Sequence, residues 1–180
     1  MKWSLSIVLF LLFTPLFNVV AQKNPSVEKN LFKINLLLPG VVYEHGFDTK
    51  NTLYSEISLG VGYESNSFFG TNWSYYPTIN EQFRHYYNLE KRANKGKRTI
   101  NNSGNFYALN AIYHFESTNS NDSFLPSDPS FTIAPVWGFQ RTYKHKFNLN
   151  LNGGLGYNVS KDENKFVPVL NFTLGWVIGK

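Results

Sequence analysis

Apolar and polar residues alternate with a period of two along much of the chain beyond residue 30. Between residues 147 and 160, apolar side chains fill one set of alternate positions, and asparagine, glycine and serine fill the other. The same alternation marks four further stretches, residues 53–64, 107–115, 131–143 and 170–178. Because successive side chains of a β-strand point to opposite sides, the pattern predicts strands with one apolar and one polar face. No stretch shows the periodicity of an amphipathic helix.

Weaker stretches decide the number of strands. Residues 73–89 carry a broken apolar stripe, and residues 32–38 and 41–47 flank Pro39-Gly40, which is a turn signal. Counting the last two as separate strands gives eight, whereas counting them as one gives seven. Bacterial single-chain barrels have an even number of strands. The prediction is therefore an all-β fold, an antiparallel transmembrane β-barrel of eight strands that follows a cleaved signal peptide.

The connections between these strands differ in length in a way that fits such a barrel. Short turns at residues 48–51 and 144–146 fall on the side of the chain termini, which is the periplasmic side in outer-membrane barrels. Longer loops at residues 66–71, 117–130 and 160–165 fall on the opposite, external side. The connection at residues 91–104 also falls on the periplasmic side, where it is unusually long.

The N-terminus has the organisation of a secretory signal peptide. Lys2 supplies the charged region, residues 5–13 form a short apolar region, and Val19-Val20-Ala21 is an acceptable cleavage site. We therefore assign residues 1–21 to a signal peptide and residues 22–180 to an outer-membrane barrel domain. The alternative is an uncleaved anchor, although the apolar run is short for a helix that spans a membrane.

Alternation alone fits two kinds of barrel, which differ in whether the polar or the apolar face points outward. A soluble lipocalin-like barrel or sandwich turns its polar face to water, and lysine and glutamate are then expected on that face. Here the polar face consists mostly of asparagine, glycine, serine and threonine, and the lysines fall mainly in the connections. Small polar residues suit the narrow interior of an eight-stranded barrel. This distribution favours a membrane barrel whose apolar face meets lipid.

The composition supports the same choice. Charged residues make up 16% of the chain, against roughly 25% in typical soluble domains, and aromatic residues make up 17%. The mean hydropathy is nevertheless -0.29, which argues against a helical membrane protein. The chain has no cysteine, so disulfides, thiolate zinc sites, cysteine nucleophiles and an acylated cysteine are all excluded.

The net charge of +5 has a strong local contribution between residues 91 and 98. Five basic residues lie there: Lys91, Arg92, Lys95, Lys97 and Arg98. Such a cluster can bind nucleic acid or anionic lipid. Asparagine, glycine and serine in and after the cluster favour a solvated loop instead, and we expect no nucleic-acid partner.

Several short motifs follow one another in an order that carries a resemblance. They are Lys33-Ile34-Asn35-Leu36-Leu37, Tyr43-Glu44, Arg84-His85-Tyr86-Tyr87-Asn88-Leu89, Ser103-Gly104-Asn105-Phe106, Pro135-Val136-Trp137-Gly138-Phe139-Gln140-Arg141 and Gly154-Leu155-Gly156-Tyr157. In residues 30–180 the chain resembles small outer-membrane β-barrel proteins of Bacteroidetes-type bacteria, many of unassigned function. The resemblance implies an outer-membrane location. It also implies contact with lipid and lipopolysaccharide, and insertion by the barrel-insertion machinery.

Charged residues on the polar face are the candidate functional residues. By alternation, six of them point into the lumen: Lys33, Glu44, Glu56, Glu64, Arg84 and Glu116. They form either a proton or substrate site or a hydrogen-bonded salt-bridge plug. An unpaired buried charge is very costly, so acids and bases in a narrow lumen are expected to pair. The plug is the favoured interpretation, and no cofactor or metal site is expected.

A catalytic site is the weaker interpretation. His114 and Glu116 lie two apart on one strand face, and Ser117 or Ser123 follows, as a lipid-modifying hydrolase requires. The spacing also arises by chance where a strand ends in polar residues. The sequence therefore favours a structural or surface-interaction role without catalysis. A lipid-modifying enzyme and a conduit for small solutes or lipophilic molecules remain the alternatives.

Overall fold

Eight antiparallel strands, each hydrogen-bonded to its neighbours in sequence, form a closed barrel in which the first strand pairs with the last. The structure, a computed structural model, describes residues 25–66, 70–116, 128–161 and 163–178, with the backbone alone at 61–66 and 70–75. The strands are β1 (Asn30–Asn35), β2 (Gly40–Gly46), β3 (Asn51–Asn66), β4 (Gly70–Tyr86), β5 (Asn105–His114), β6 (Ser130–Thr142), β7 (Phe147–Ser160) and β8 (Asn164–Ile178). The predicted all-β, eight-stranded antiparallel barrel is confirmed. The predicted signal peptide lies outside the described residues.

The split at Pro39-Gly40 makes β1 and β2 much shorter than their neighbours. The turn at residues 36–39 closes this hairpin, whose last register pair is Asn35 with Gly40. By contrast, β3 and β4 remain paired as far as Asn66 with Gly70. The barrel wall is therefore lower at the β1–β2 hairpin than elsewhere.

We call the two ends of the barrel the near end and the far end. The near end carries residue 25, residue 178 and the connections at 47–50, 87–104 and 143–146. The far end carries the turn at 36–39 and the last residues of β3, β5 and β7. The two sets of connections separate as the sequence predicts, because an even number of antiparallel strands returns the chain to its starting side.

The barrel is apolar outside and largely polar inside, with an interior apolar cluster that includes Phe106, Ala134, Val136 and Val169. Buried interior positions include these polar or charged residues: Lys33, Asn35, Glu44, Thr52, Glu56, Asn80, Gln82, Arg84, Asn110, Thr132, Gln140, Asn148, Asn150, Asn152 and Thr173. Exposed outward positions include these apolar residues: Ile34, Val41, Leu53, Ile57, Leu59, Phe83, Leu109, Ile133, Leu155, Leu170, Phe172 and Ile178. Glu81 is an outward exception, and its carboxylate accepts a hydrogen bond from Ser55 Oγ at 2.7 Å.

Aromatic side chains form pairs on the outer surface of the barrel, close to its near end. The rings of Tyr87 and Tyr107 are stacked with centroids 4.8 Å apart, as are those of Phe32 and Tyr43. Trp137 Nε1 donates a hydrogen bond to Tyr87 OH at 3.0 Å. Trp137 and Tyr87 therefore combine an apolar ring with a satisfied polar atom.

The connection at residues 87–104 folds under the barrel and forms what we call the cap. It contains a short helix, α1 (Leu89–Asn94), in which Leu89 and Ala93 are buried and Leu89 joins the interior apolar cluster. The alternation pattern does not predict this helix, which is only 6 residues long. No helix in the described part of the chain is long and apolar enough to cross a membrane.

Polar contacts fix the cap to the rest of the near end. Asn101 and Asn102 have positive φ angles of 52° and 57°, a conformation that asparagine tolerates better than most residues. Asn102 Oδ1 accepts from the Glu28 backbone N–H at 2.7 Å, and Ser103 Oγ accepts from the Thr142 backbone N–H at 2.8 Å. The lysines of the basic cluster remain exposed on the outer side of the cap.

Candidate functional site

Glu44 is the centre of a buried ionic network in the near half of the lumen. Lys33 Nζ lies 3.3 Å from Glu44 Oε2, and Arg84 Nη1 lies 3.9 Å from the same oxygen. Oε1 accepts hydrogen bonds from Tyr86 OH at 2.8 Å and Thr52 Oγ1 at 2.9 Å. One carboxylate on β2 therefore joins side chains from β1, β3 and β4. Charge-assisted hydrogen bonds of this kind are roughly twice as strong as neutral ones.

Gln140 on β6 ties the two cations together. Its Oε1 accepts from Lys33 Nζ at 2.6 Å and from Arg84 Nη1 at 3.3 Å. Its Nε2 donates to the Asn101 carbonyl oxygen in the cap at 3.0 Å. The amide thus uses its acceptor for the cations and its donor for the cap, so the network and the cap hold each other in place.

Arg84 is the largest fully buried side chain and lies between two aromatic rings. Its Cζ is 3.6 Å from the Tyr54 ring centroid and 4.3 Å from the Phe106 ring centroid. Its Nε donates to Gln82 Oε1 at 2.9 Å. A planar guanidinium can stack on rings and donate at its edge at once, which a lysine cannot do. We call these residues the lumenal cluster: Lys33, Glu44, Thr52, Tyr54, Gln82, Arg84, Tyr86, Phe106 and Gln140.

The structure brings only part of the predicted charge set together. Lys33, Glu44 and Arg84 lie in the lumenal cluster, whereas Glu56 is buried farther toward the far end and, among the described residues, touches the cluster only through a hydrogen bond from Tyr54 OH. The side chain of Glu64 lies outside the described residues. β5 ends at His114, and Glu116 is exposed two residues beyond it, outside the lumenal cluster.

The weak catalytic candidates do not form a triad in the described residues. The Nδ1 atom of His114 lies 3.0 Å from Thr78 Oγ1 on β4, within hydrogen-bonding distance. Tyr76 packs its ring edge to face with the imidazole, with centroids 5.3 Å apart. His114 therefore has a hydroxyl neighbour rather than an orienting carboxylate, and Ser117 and Ser123 lie outside the described residues.

Sequence reasoning missed the neutral members of the lumenal cluster. Tyr54, Tyr86 and Gln140 occupy interior positions that alternation assigns correctly, but charge was the criterion by which candidates were chosen. The signal that could have identified them is an inward aromatic or amide residue next to a buried charge. The Tyr54-Ser55-Glu56 and Arg84-His85-Tyr86 spacings place a phenol and a charge on the same face.

A cavity of about 280 Å³ lies in the far half of the lumen. Its polar lining includes Glu56, Ser58, Thr78, Asn80, His114 and Thr132. Glu56 is 2% exposed and accepts hydrogen bonds from Asn35 Nδ2 at 2.7 Å, Tyr54 OH at 3.0 Å and Asn80 Nδ2 at 3.2 Å. The lumen is therefore divided into a filled near half and an open far half.

Asparagines on β7 provide a test of how the interior polar groups contribute to stability. Asn148 Nδ2 donates to Thr142 Oγ1 at 2.9 Å, whereas the side-chain amide of Asn150 has no hydrogen-bond partner among the described residues. We expect Asn150→Leu to change the free energy of unfolding by less than about 1 kcal/mol, because no bond is broken. Asn148→Leu leaves Thr142 Oγ1 without its donor and is expected to cost about 1–3 kcal/mol.

Equilibrium urea unfolding of both variants, followed by tryptophan fluorescence, measures the two costs. The residues are two apart on the same strand face and both are buried, so their surroundings are well matched. A larger cost for Asn150→Leu than for Asn148→Leu would contradict this account.

The described residues contain no group of three or more His, Asp or Glu side chains that could hold a metal ion. Comparison of the chain with protein-family models, with curated protein sequences and with solved structures gave no match.

Proposed function

We propose that this chain is a small outer-membrane β-barrel protein of a Bacteroidetes-type Gram-negative bacterium, with a plugged polar lumen and a structural or surface-interaction role. Its surroundings are then outer-membrane lipid and lipopolysaccharide, and the barrel-insertion machinery is the partner that delivers it. Export by the signal peptide at residues 1–21 belongs to the same proposal.

The observation that carries the proposal is the inversion of polarity across the barrel wall. In water, a closed barrel of this size gains stability by burying its apolar face, yet here the large apolar side chains are the exposed ones. Exposed outward side chains include Leu109 at 55%, Leu155 at 59% and Leu170 at 78%. An apolar band around a polar interior is the arrangement expected of a barrel whose outer solvent is lipid.

The lumenal cluster supports a structural role over a conduit. Lys33, Glu44, Arg84 and Gln140 lie across the near half of the lumen, and the cap lies beneath them. A solute would have to break several charge-assisted hydrogen bonds in order to pass. Catalysis is not favoured either, because the cluster's charges are buried and bonded to one another.

Fractionation of cells that express the full chain tests the location. We expect the protein in the outer-membrane fraction, as a band that migrates faster in gel electrophoresis before boiling than after it. Recovery as a freely soluble periplasmic protein would overturn the proposal.

A substitution on the outer face separates lipid from water as the surrounding solvent. Leu109 lies in the middle of β5, and Leu109→Arg is expected to cost about 2–4 kcal/mol if that face meets the bilayer. At a surface position in water the same change costs within about 0.5 kcal/mol. Ile100→Arg is the matched control, because Ile100 is 45% exposed but lies in the cap rather than in the barrel wall. Equal costs at both positions would contradict a lipid-facing wall.

A further inference from the structure

The short β1–β2 hairpin leaves a gap in the far half of the barrel wall. The Leu36 N–H donates to the Leu174 carbonyl at 2.8 Å, and the Leu59 N–H donates to the Pro39 carbonyl at 2.9 Å. Beyond these bonds, β8 and β3 continue toward the far end with no described strand between them. We call this gap above the turn at residues 36–39 the notch.

The edges of the notch are formed by backbone that faces the gap. Because the Leu174 carbonyl points toward β1, the alternate residues of β8 that share its orientation also point their N–H and C=O groups into the notch. Pro168 is one of these residues, and proline brings no N–H group to the edge. Proline is found at strand edges that do not pair with a further strand.

The far-half cavity reaches the outside of the barrel through the notch. Leu38 in the turn, together with Pro168 and Leu170 on the outer face of β8, lines the same cavity as Glu56 and Thr78 in the interior. These residues border the notch, so the cavity extends to the gap in the wall between β8 and β3. The opening of the cavity is therefore apolar and faces sideways through the barrel wall, whereas the inner part of the cavity is polar.

Among the described residues that line the cavity, Glu56 is the one acid and His114 the one imidazole, and none is lysine or arginine. Glu56 is buried and accepts hydrogen bonds from amide and phenol groups, and no ion pair joins it to a cation among the described residues. Lys33 Nζ is engaged by Glu44 and Gln140 instead. The sequence contains no lysine or arginine at positions 51–83 or 105–140, which include most of the walls around the cavity.

We propose that this cavity binds the primary-amine head of a single-chain amphiphile that enters sideways through the notch, with Glu56 as the counter-charge. The hydrocarbon chain leaves past Leu38 and Leu170 into the surrounding apolar layer. A volume of about 280 Å³ is at the small end of ligand pockets and takes a head group rather than a whole lipid. A phosphate or carboxylate head is disfavoured, because it would be buried beside a carboxylate without a cation. The lateral entry rests on the proposed membrane location.

Native mass spectrometry of the purified, detergent-solubilised full-length mature protein tests the binding. The probes are hexadecylamine, hexadecanol and hexadecanoic acid, which share a chain and differ only in the head group. We expect one bound hexadecylamine per protein, retained at least about tenfold better than hexadecanoic acid, as a charge-assisted hydrogen bond predicts. Glu56→Gln should remove the preference for the amine over the alcohol.

A second pair of variants tests the notch without touching the polar residues. Leu38→Trp places a large side chain at the mouth and should reduce hexadecylamine retention about tenfold or more. Leu37→Trp, in the same turn but not among the cavity-lining residues, should leave retention unchanged. The unboiled, fast-migrating band shows whether each variant is folded.

Equal retention of the three probes by folded protein, or retention of none, would overturn the inference. So would an equal effect of the Leu38 and Leu37 substitutions. These measurements are made in micelles, so they are independent of cellular location. If the protein fractionates with the outer membrane but retains no amine, only this inference fails. If the protein is freely soluble, the proposed function fails and so does the lateral entry.

Discussion

Glu44→Gln is expected to lower the free energy of unfolding by about 3–5 kcal/mol, because it leaves two buried cations without their shared counter-charge. Glutamine has nearly the same size, so the loss comes from charge and not from a cavity. The Lys33 ammonium and the Arg84 guanidinium are both buried and cannot reach water without opening the near half of the lumen. The remaining partners, Thr52 and Tyr86, would face an amide that carries no negative charge.

Urea unfolding of the detergent-solubilised protein measures this cost, with tryptophan fluorescence as the signal. Glu163→Gln is the control, because Glu163 pairs with Lys165 at 2.7 Å while the two side chains are 62% and 55% exposed. An exposed pair of this kind contributes less than about 1 kcal/mol. Similar losses for the two substitutions would show that the lumenal cluster is not a buried network.

Adding Lys33→Met to Glu44→Gln should recover part of the stability. The double variant removes one of the two unpaired cations and puts an apolar side chain of similar length in its place. A coupling energy of about 0.5–3 kcal/mol between the two positions is expected for residues in direct contact. Additive losses would contradict a shared network.

Gly175→Ala is expected to prevent or severely weaken closure of the barrel. Gly175 pairs with Asn35 across the β1–β8 seam, and a Cβ atom at this position would overlap the Ile34 carbonyl oxygen. That oxygen belongs to the backbone, so relief requires the two strands to separate. Among the described residues, the seam consists of the register from Phe32 with Ile178 to Asn35 with Gly175 and of the bond from the Leu36 N–H to the Leu174 carbonyl oxygen. We expect a cost of about 3 kcal/mol or more, at the upper end for overpacking.

The loss of the fast-migrating unboiled band reports failure to close the barrel. Gly153→Ala is the matched control on β7, where the nearest atom to an added Cβ is the Val169 carbonyl oxygen at 3.3 Å. This contact is tight but can be relieved by a small shift. A normal folded band for Gly175→Ala would mean that the seam tolerates a wider separation than the register implies.

Much of the fold could be predicted because alternation is a direct consequence of strand geometry. In β7, asparagines 148, 150 and 152 face inward and are buried, which is the face that the polar pattern assigns to them. The turn at Pro39-Gly40 and the even strand count together gave the correct closure. These signals come from neighbouring residues or from the number of strands, so a single sequence is enough to reveal them.

The site was less predictable because its contacts join residues far apart in the chain. Glu44 and Gln140 are 96 positions apart and meet only through the register of five strands. Alternation alone could not place Glu116, because it lies past the last register pair of β5 with β4 and past the Phe115 N–H, which still donates to the Pro77 carbonyl oxygen. The cap depends on two asparagines with left-handed backbone conformations, and periodicity carries no information about these.

The cap also affects how the protein unfolds. It joins the segment before β1 to the middle of the chain, since the Glu28 N–H donates to Asn102 Oδ1 across 74 positions. Gln140 links the same cap to the charges above it. We therefore expect the first strand, the cap and the ionic network to open together. The near end would then unfold as a single cooperative unit, without a stable intermediate that has a detached cap and an intact lumen.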